Sequence, residues 1–501
     1  MKAHQRGYSG PMHLQRPHHR ADLLRIAHQA MTEHGLEPDF SARAEQQLAG
    51  LSALARETGP AIENLTPLLW CSIDNDDSLD LDQLTVCEPL ADGGLKLLVA
   101  IADVDALVKK DTPIDEHARL NTTTVYTSAR IFPMLPDALS TGLTSLNPDE
   151  DRLALVTEIV FGADAVLAHF SIYRALVRNR AKLAYDAVAA WLDGEGPLPE
   201  AAARIPGMEA QLRSQHALAQ QLRGLRQTQG ALEFETFQPR AVFEGDKVID
   251  IRQQDHNRAR QLIEEIMVAT NGCTARFLAL RGGASLRRVV RSPERWLRIV
   301  EVARGYGEAL PTEPDSPALA AFLARRRKAD PLRFPDLSLV IVKLMGAGEY
   351  VVEAPGGAAI GHFGLAVRDY THSTAPNRRF PDLITARLLK AALAGEASPY
   401  STAERAALAQ HCTRQEDAVR KVERKMRKCE AALLLESHIG QRFDAVVTGS
   451  TDAGVWIRIF SPPVEGKLVA DAAGLQVGDK LRVQLSATDV EQGFIDFIRA
   501  D

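Results

Sequence analysis

Two nearly continuous apolar runs, at residues 95–104 (LKLLVAIADV) and 152–161 (RLALVTEIVF), place the strongest constraint on the fold. A strand that is covered on both faces shows this pattern, because neither of its faces meets water. The stretch between them, residues 122–151, contains three prolines and has no clear period. Loops of that length inside a compact domain are usually functional. The pattern therefore predicts a buried sheet whose strands flank a functional loop.

The chain has 501 residues, more than a single hydrophobic core supports, and its pattern changes along its length. Residues 1–64 predict a small helical module, in which two helices flank the breaker GLEPDF. This pair is either a helix-turn-helix-like unit or a helical cap on the next domain. Residues 65–436 predict a mixed α/β domain, and residues 437–501 hold five short strands that predict a small all-β barrel. The predicted fold class is therefore multidomain α+β.

Cysteine usage and hydropathy limit the class of protein to which the chain can belong. The five cysteines form no CxxC pair, which argues against a zinc site and disulfides and for a reducing, cytoplasmic compartment. No apolar run of about eighteen residues occurs, so we expect no membrane span. The basic N-terminus lacks the apolar core of a signal peptide.

The charge distribution bears on the partner. The net charge of -6 argues weakly against nucleic acid, but basic clusters occur at residues 174–182, 287–298, 325–328 and 420–428. An acidic average with basic patches predicts a protein that grips a polyanion locally. The alternative is that each cluster is a solvated helix face. No heptad seam occurs, so we expect a monomer.

The segment CSIDNDDSLDLDQLTV, residues 71–86, carries five aspartates within nine positions. Its LDLDQL alternation predicts a strand that places Leu79 and Leu81 on one face. Asp80 and Asp82 then share the other face, where two carboxylates repel and raise each other's pKa. A hard divalent cation would neutralise them, and oxygen ligands without Cys or His favour Mg2+ or Mn2+ over zinc.

Two alternatives to a metal site exist for this acidic segment. An EF-hand is excluded, because positions six and twelve counted from Asp74 hold Leu79 and Thr85 instead of Gly and Glu. A solvated acidic loop explains Asp76 and Asp77 but leaves the alternating pair unexplained. The segment alone therefore leaves a solvated loop and a catalytic metal site open.

A second constellation lies at residues 362–390, where Arg378 and Arg379 directly precede a helix that begins near Pro381. Arginine presents a planar fork that suits phosphate oxygens and stabilises charge that develops in phosphoryl transfer. The alternative is an ordinary loop with arginines beside a helix. An acidic metal site together with arginine is the equipment for cleaving a phosphodiester.

These segments resemble the ribonuclease II (RNB) family. The resemblance rests on SIDNDDSLDLDQL, on IADVDALVKKDTPIDEHARLNTTTVYTSARIFPMLPDALSTGLTSLNPDEDRLAL and on HFGLAVRDYTHSTAPNRRFPDL, in the expected order over roughly residues 70–435. The C-terminal segment resembles the OB-fold RNA-binding domain that ends these enzymes. The resemblance implies a processive, hydrolytic 3′→5′ exoribonuclease that degrades single-stranded RNA to nucleoside 5′-monophosphates with Mg2+.

The resemblance also implies roles for individual residues. The catalytic residues are Asp80, Asp82 and Arg378; the metal ligands are Asp74, Asp80, Asp82 and Gln83; the substrate-binding residues are Tyr126, Phe234, Glu264, Glu265 and Arg379. Tyr126 and Phe234 would stack on bases at the 3′ end, which is tolerant of sequence. Without the resemblance both would be assigned to the core. Either Glu264 or Glu265 would contact the terminal nucleotides and the 2′-OH that distinguishes RNA from DNA.

Two departures from the family pattern qualify this interpretation. Gln83 stands where the family usually has a fourth aspartate, which predicts a weaker metal site or one helped by Asp76 or Asp77. It also supports a second hypothesis, a catalytically weakened RNA-binding regulator. A third hypothesis, a DEDD exonuclease, lacks its Asp-x-Glu signature here.

The N-terminus is the second departure. Family members often begin with two cold-shock domains, whereas residues 1–64 are helical here. The basic residues in this region predict an RNA-guiding role for the module. They are Arg16, His18, His19, Arg20 and Arg25.

Overall fold

The computed structural model describes residues 20–51, 54–55, 57, 59, 61–235, 239–244, 247–253, 257–331, 333–451 and 454–500. The α-helices are α1 (Arg20–Glu33), α2 (Ala42–Ala49), α3 (Pro113–Asn121), α4 (Tyr185–Asp193), α5 (Glu200–Ala203), α6 (Met208–Thr228), α7 (Arg258–Leu280), α8 (Trp296–Gly305), α9 (Ser316–Ala329), α10 (Phe334–Met345), α11 (Phe380–Ala394) and α12 (Thr402–Leu435). None of them is both long and apolar enough to cross a membrane.

The strands form one large sheet, one barrel and three small pairs. They are β1 (Ile62–Asn64), β2 (Cys71–Asp74), β3 (Gln83–Pro89), β4 (Leu95–Ala102), β5 (Val125–Tyr126), β6 (Ile131–Phe132), β7 (Asp151–Phe161), β8 (Leu167–Arg178), β9 (Ala181–Ala184), β10 (Pro239–Glu244), β11 (Lys247–Gln253), β12 (Ser285–Val289), β13 (Glu349–Glu353), β14 (Arg442–Thr451), β15 (Gly454–Ile459), β16 (Glu465–Leu468), β17 (Lys480–Asp489) and β18 (Phe494–Arg499). The small pairs are β5–β6, β10–β11 and β12–β13.

The large sheet has seven strands in the order β1-β8-β7-β4-β3-β2-β9. The two apolar runs form its centre, where β4 and β7 pair antiparallel. Leu97 and Val99 of β4 enter a core shared with α6 and α7, whereas Leu98 and Ala100 enter a second core shared with α11. Helices therefore cover both faces of the sheet, which explains why the central strands do not alternate polar and apolar residues.

The segment from residue 442 to residue 499 closes into a five-stranded barrel in the order β14-β15-β16-β18-β17. This confirms the predicted C-terminal all-β barrel. Its interior residues share a core with one end of the 34-residue helix α12. The barrel is therefore packed onto α12, the helix that precedes it in the chain.

The two predicted N-terminal helices are α1 and α2, and they are separated by eight residues, 34–41. A helix-turn-helix joins its helices by three or four residues. The apolar face of α1 packs against α12 and the barrel, whereas Ala44 of α2 enters the core beside the sheet. The helices thus form a cap on the rest of the molecule, which is one of the two alternatives left open by the sequence.

The basic residues that predict an RNA-guiding role fall partly in this cap. Arg16, His18 and His19 lie outside the described residues. Arg20 donates hydrogen bonds to the carbonyl of Ala129, and Arg25 pairs with Glu491. The two described arginines thus contact other parts of the protein.

Candidate active site

Residues 75–82 of the acidic segment form a loop and not a strand. β2 ends at Asp74 and β3 begins at Gln83, so the residues between them make no ladder. Leu79 is 60% exposed, whereas Leu81 is 1% exposed. The prediction that both leucines share a face was therefore wrong. The loop turns here because Ser145 binds the Leu79 carbonyl and the Leu81 amide at once.

Asp82 and Arg378 are brought together from the two constellations. Arg378 Nε donates to Asp82 Oδ2 at 3.0 Å, and the backbone amide of Asn377 donates to Asp82 Oδ1 at 2.9 Å. Asp82 is buried, whereas 43% of the Arg378 side chain is exposed. The carboxylate thus holds one edge of a guanidinium that solvent, or a phosphate, can still reach.

Asp74 and Asp80 face the same arginine. Burial raises the pKa of Asp74 to about 6 and that of Asp82 to about 7, and it also raises the pKa of Asp80. The positive charge of Arg378 opposes the rise in all three carboxyl groups. The charge of one arginine therefore acts on all three carboxyl groups, and burial still raises their pKa values.

Asp76 and Asp77 are exposed, in contrast to these three residues. Their position is that of loop charge, which the sequence left as one explanation of the acidic segment. The aspartate cluster therefore divides into an exposed pair and a more buried set around Arg378.

Gln83 makes its contact through its amide nitrogen. Nε2 donates to Asp74 Oδ1 at 2.9 Å, while Asp74 Oδ2 is buried without a hydrogen-bond partner. Within the described part of the chain, no three His, Cys, Asp or Glu side chains are placed so that they could hold a metal ion. The ligand chemistry nevertheless fits a hard cation, since the donors are carboxylate oxygens and one of them is buried and unsatisfied. Gln83 itself acts here as a hydrogen-bond donor.

Tyr126 lies on the hairpin formed by β5 and β6, within the long segment predicted to be functional. The side chain is 43% exposed. Burial of the hydroxyl raises the pKa of Tyr126 to about 12, and the charges of Arg378 and Asp80 also act on it. The exposed ring therefore stands beside the carboxylate and arginine cluster.

Phe234, Glu264 and Glu265 line a separate cavity of about 230 Å3. Glu265 is buried and accepts two hydrogen bonds from Arg226, at 2.5 and 2.7 Å. The Glu264 side chain is 45% exposed, and its carboxylate lies 3.6 Å from the same arginine. Of the two acids, Glu264 is the one that a ligand can reach.

The Phe234 ring is partly buried against the core built by α8, α9 and α10. The ring contacts among the described residues do not include a pair between Phe234 and Tyr126. The structure therefore places the two predicted stacking residues in different surroundings.

Arg379 pairs with a different carboxylate from its neighbour Arg378. Its Nη2 donates to Asp382 at 2.8 Å, and the Asp382 side chain is fully buried. This pair fixes the start of α11, directly after Arg378.

Two residues of these sites could not be identified as site residues from the sequence pattern. Asn377 donates its backbone amide to Asp82, and its side-chain oxygen accepts from Thr144 Oγ1 at 2.6 Å. Arg226 neutralises the buried Glu265 from 39 residues away. Only the position of Asn377 beside Arg378 could have indicated a role, since a backbone donor is not encoded by the side chain.

The sequence matches two known domain families. Residues 62–395 match the RNB domain, and residues 441–500 match the RNase II-type exonuclease C-terminal S1 domain. The chain is 31% identical to Ribonuclease R of Escherichia coli, over 93% of this chain and 61% of that protein. It is 30% identical to Ribonuclease R of Vibrio cholerae, over 93% and 60%. The chain thus spans about 60% of the length of these relatives.

Solved structures show the same fold. The apo form of Mycoplasma genitalium RNase R superimposes with a TM-score of 0.85 at 24% identity, over 96% of this chain and 78% of that one. Yeast Ssd1, described as a pseudonuclease, has a TM-score of 0.70 at 14% identity, over 92% and 57%. The match to the RNB domain covers two thirds of this chain. The chain therefore belongs to the RNB family.

Proposed function

We propose that the chain is a processive, hydrolytic 3′→5′ exoribonuclease that degrades single-stranded RNA to nucleoside 5′-monophosphates. The observation that carries this proposal is the Asp82–Arg378 pair, with Asp74 and Asp80 facing the same guanidinium. The exposed ring of Tyr126 stands beside it. The cytoplasm is the proposed compartment and the monomer the proposed state, without a membrane partner.

Arg378 is proposed to bind the scissile phosphate. Asp82 occupies Nε, and no described residue accepts a hydrogen bond from either terminal nitrogen of the guanidinium. Those nitrogens are the donors that a phosphate would meet, and they would offset charge that develops on its oxygens. Since Asp82 is itself held by the amide of Asn377, the guanidinium is oriented before RNA arrives.

Asp74, Asp80 and Asp82 are proposed to supply carboxylate ligands to a divalent cation, Mg2+ or Mn2+, whose binding would draw together side chains that are not grouped for it in this structure. RNB-family exoribonucleases generally depend on a divalent metal ion. A bound ion of this kind activates water and stabilises negative charge on phosphate. The raised pKa values of the three carboxyl groups support this role, because a cation would relieve the repulsion and burial that raise them.

Tyr126 is proposed to stack on a base near the 3′ end. Stacking tolerates any base, since every base has a π-face. Related structures are described as RNase R in complex with ribose-methylated single-stranded RNA and with double-stranded RNA. Phe234 and Glu264 would contact neighbouring nucleotides from their shared cavity, where the half-exposed carboxylate can accept from a 2′-OH.

A catalytically weakened RNA-binding regulator is the second candidate function. Gln83 favours it, because an amide brings no charge to the metal site. The fold is also shared with yeast Ssd1, which is described as a pseudonuclease. The intact set of Asp74, Asp80, Asp82 and Arg378 favours the enzyme.

The test is incubation of 5′-labelled single-stranded RNA with Mg2+ and wild type, Asp82→Asn or Asp76→Asn. Asp76 is the matched control, because its side chain is exposed in the same loop. The enzyme predicts a ladder or a short end product with wild type and Asp76→Asn but not with Asp82→Asn. RNA binding without degradation by all three proteins would establish the regulator instead.

A further inference from the structure

The hairpin that carries Tyr126 cannot fix its own shape. It has only two residues in each strand, with Val125 opposite Phe132 and Tyr126 opposite Ile131. An isolated two-stranded hairpin is at best marginally stable in water. The orientation of the Tyr126 ring must therefore come from what surrounds the hairpin.

The base of the hairpin is hydrogen-bonded to the backbone of Arg378, the proposed catalytic arginine. The backbone carbonyl of Arg378 accepts from the amide of Thr124 at 3.0 Å and from Thr123 Oγ1 at 2.9 Å. Tyr126 lies two residues after Thr124 in the chain. The distance between the stacking ring and the arginine is thus set by a short, hydrogen-bonded stretch of backbone.

The tip of the hairpin is held by α12, about 300 residues further along the chain. Glu423 Oε1 accepts from the backbone amide of Tyr126 at 3.1 Å. Glu430 accepts from both donors of Ser128, from the amide at 3.2 Å and from Oγ at 2.9 Å. The two glutamates are seven residues apart, which places them on the same side of the helix.

Glu430 is 2% exposed, so its carboxylate is enclosed by the protein. A buried carboxylate is retained only where hydrogen bonds compensate its loss of water. On the other side, α1 completes the enclosure: Arg20 donates to the Ala129 carbonyl at 3.2 Å, and Leu23 shares a core with Phe132. The hairpin is therefore clamped between α1 and α12.

We propose that Glu430, assisted by Glu423, is a positioning residue that orients Tyr126 for stacking on the 3′-terminal base. This inference rests on the proposed function and adds to it a role for α12. Both glutamates accept hydrogen bonds from the hairpin, Glu423 from the amide of Tyr126 and Glu430 from Ser128. The proposal therefore predicts that their effect on RNA acts through Tyr126.

The test measures stacking directly, in the Asp82→Asn background so that RNA is not consumed. Single-stranded RNA with 2-aminopurine at its 3′ end is titrated with protein, and quenching reports stacking of the terminal base. Glu430→Gln should weaken binding about 10-fold, within the ~5- to 150-fold expected for complete loss of one stacked base. Glu416→Gln is the matched control, because this glutamate of α12 pairs with Arg288 instead of the hairpin.

The double variant Tyr126→Ala/Glu430→Gln separates positioning from general stability. If Glu430 acts through Tyr126, the double variant binds no more weakly than Tyr126→Ala. Additive losses, or unchanged binding and quenching in Glu430→Gln, would overturn the inference. If Glu430→Gln fails to fold, Ser128→Ala removes the hydroxyl donor from the hairpin side and should give the smaller loss of the same kind.

Failure of the proposed function gives a different result. In that case wild type with Mg2+ would leave the same RNA undegraded, whether or not the Asp82→Asn parent binds it. Binding by the parent with no change in Glu430→Gln refutes the positioning role alone.

Discussion

Replacement of Gln83 by aspartate should convert a hydrogen bond into a repulsion that a divalent cation relieves. Gln83 is 5% exposed, and its Nε2 lies 2.9 Å from Asp74 Oδ1. Two carboxylates about 4 Å apart repel by about 4 kcal/mol at an effective dielectric constant of about 20. The metal-free variant should therefore lose a few kcal/mol of stability, and Asp74 should stay protonated to a higher pH than in wild type.

Bound metal should reverse this loss. If the relief adds at least about 1.4 kcal/mol to metal binding, the half-saturating Mg2+ concentration falls about tenfold. The assays are thermal unfolding in chelator and across a Mg2+ titration, and RNA degradation across the same titration. Gln83→Asn is the control, because it has the size of aspartate without its charge and should destabilise the protein without tightening metal binding. Equal Mg2+ requirements for wild type and Gln83→Asp would refute the reasoning.

Further substitutions test other parts of the account. Arg378→Lys should lower kcat about 100-fold in steady-state RNA degradation, because an ammonium cannot present the planar fork; an unchanged kcat would contradict it. Glu265→Gln should cost about 3 kcal/mol in denaturant unfolding, since it leaves the largely enclosed Arg226 with only the more distant, half-exposed Glu264 as a charge partner. Glu264→Gln, at the half-exposed neighbour, should stay within about 0.5 kcal/mol, and similar losses for the two would contradict the assignment.

The same group of tests includes a pH dependence. Burial lowers the pKa of His117 to about 4, so the folded state binds fewer protons than the unfolded state between about pH 4 and 6.5. Stability from this group is present above that window and falls as the pH is lowered through it. The contribution of His117 to the free energy of unfolding falls by about 2 kcal/mol as the pH is lowered from 7 to 5. The unfolding free energy of His117→Gln should lack this part of the pH dependence, and parallel curves would contradict the burial argument.

The parts of the fold that could be predicted are those whose burial pattern is local. The runs at 95–104 and 152–161 become β4 and β7 because helices cover both faces of the sheet. The change to short strands near residue 438 becomes the closed barrel. Hydrophobic periodicity carries this information within a few residues, without any knowledge of distant partners.

The acidic segment shows where a local pattern fails. LDLDQL alternates as a strand would. However, the Ser145 hydroxyl hydrogen-bonds to the Leu79 carbonyl and the Leu81 amide, and the Leu79 side chain is exposed. The partner of Asp82 is Arg378, which lies 296 residues away. Chemistry predicted a positive charge near the aspartates, but only the family resemblance indicated which arginine supplies it.

Long-range contacts also explain what was missed at the hairpin. Glu423 and Glu430 belong to a highly charged helix whose sequence is equally consistent with a solvated face. Their function as acceptors for Tyr126 and Ser128 depends on how α12 crosses the hairpin. No local feature of either segment encodes that crossing.

The most direct test of the account is to degrade single-stranded RNA in water labelled with heavy oxygen and to weigh the mononucleotides released. Hydrolysis at the 3′-terminal phosphodiester transfers one oxygen of water to the phosphate of the nucleotide that leaves. The account predicts nucleoside 5′-monophosphates carrying one heavy oxygen from wild type, and none from Arg378→Ala or Asp82→Asn. Nucleoside diphosphates, nucleoside 3′-phosphates, or equal release by the variants would contradict it.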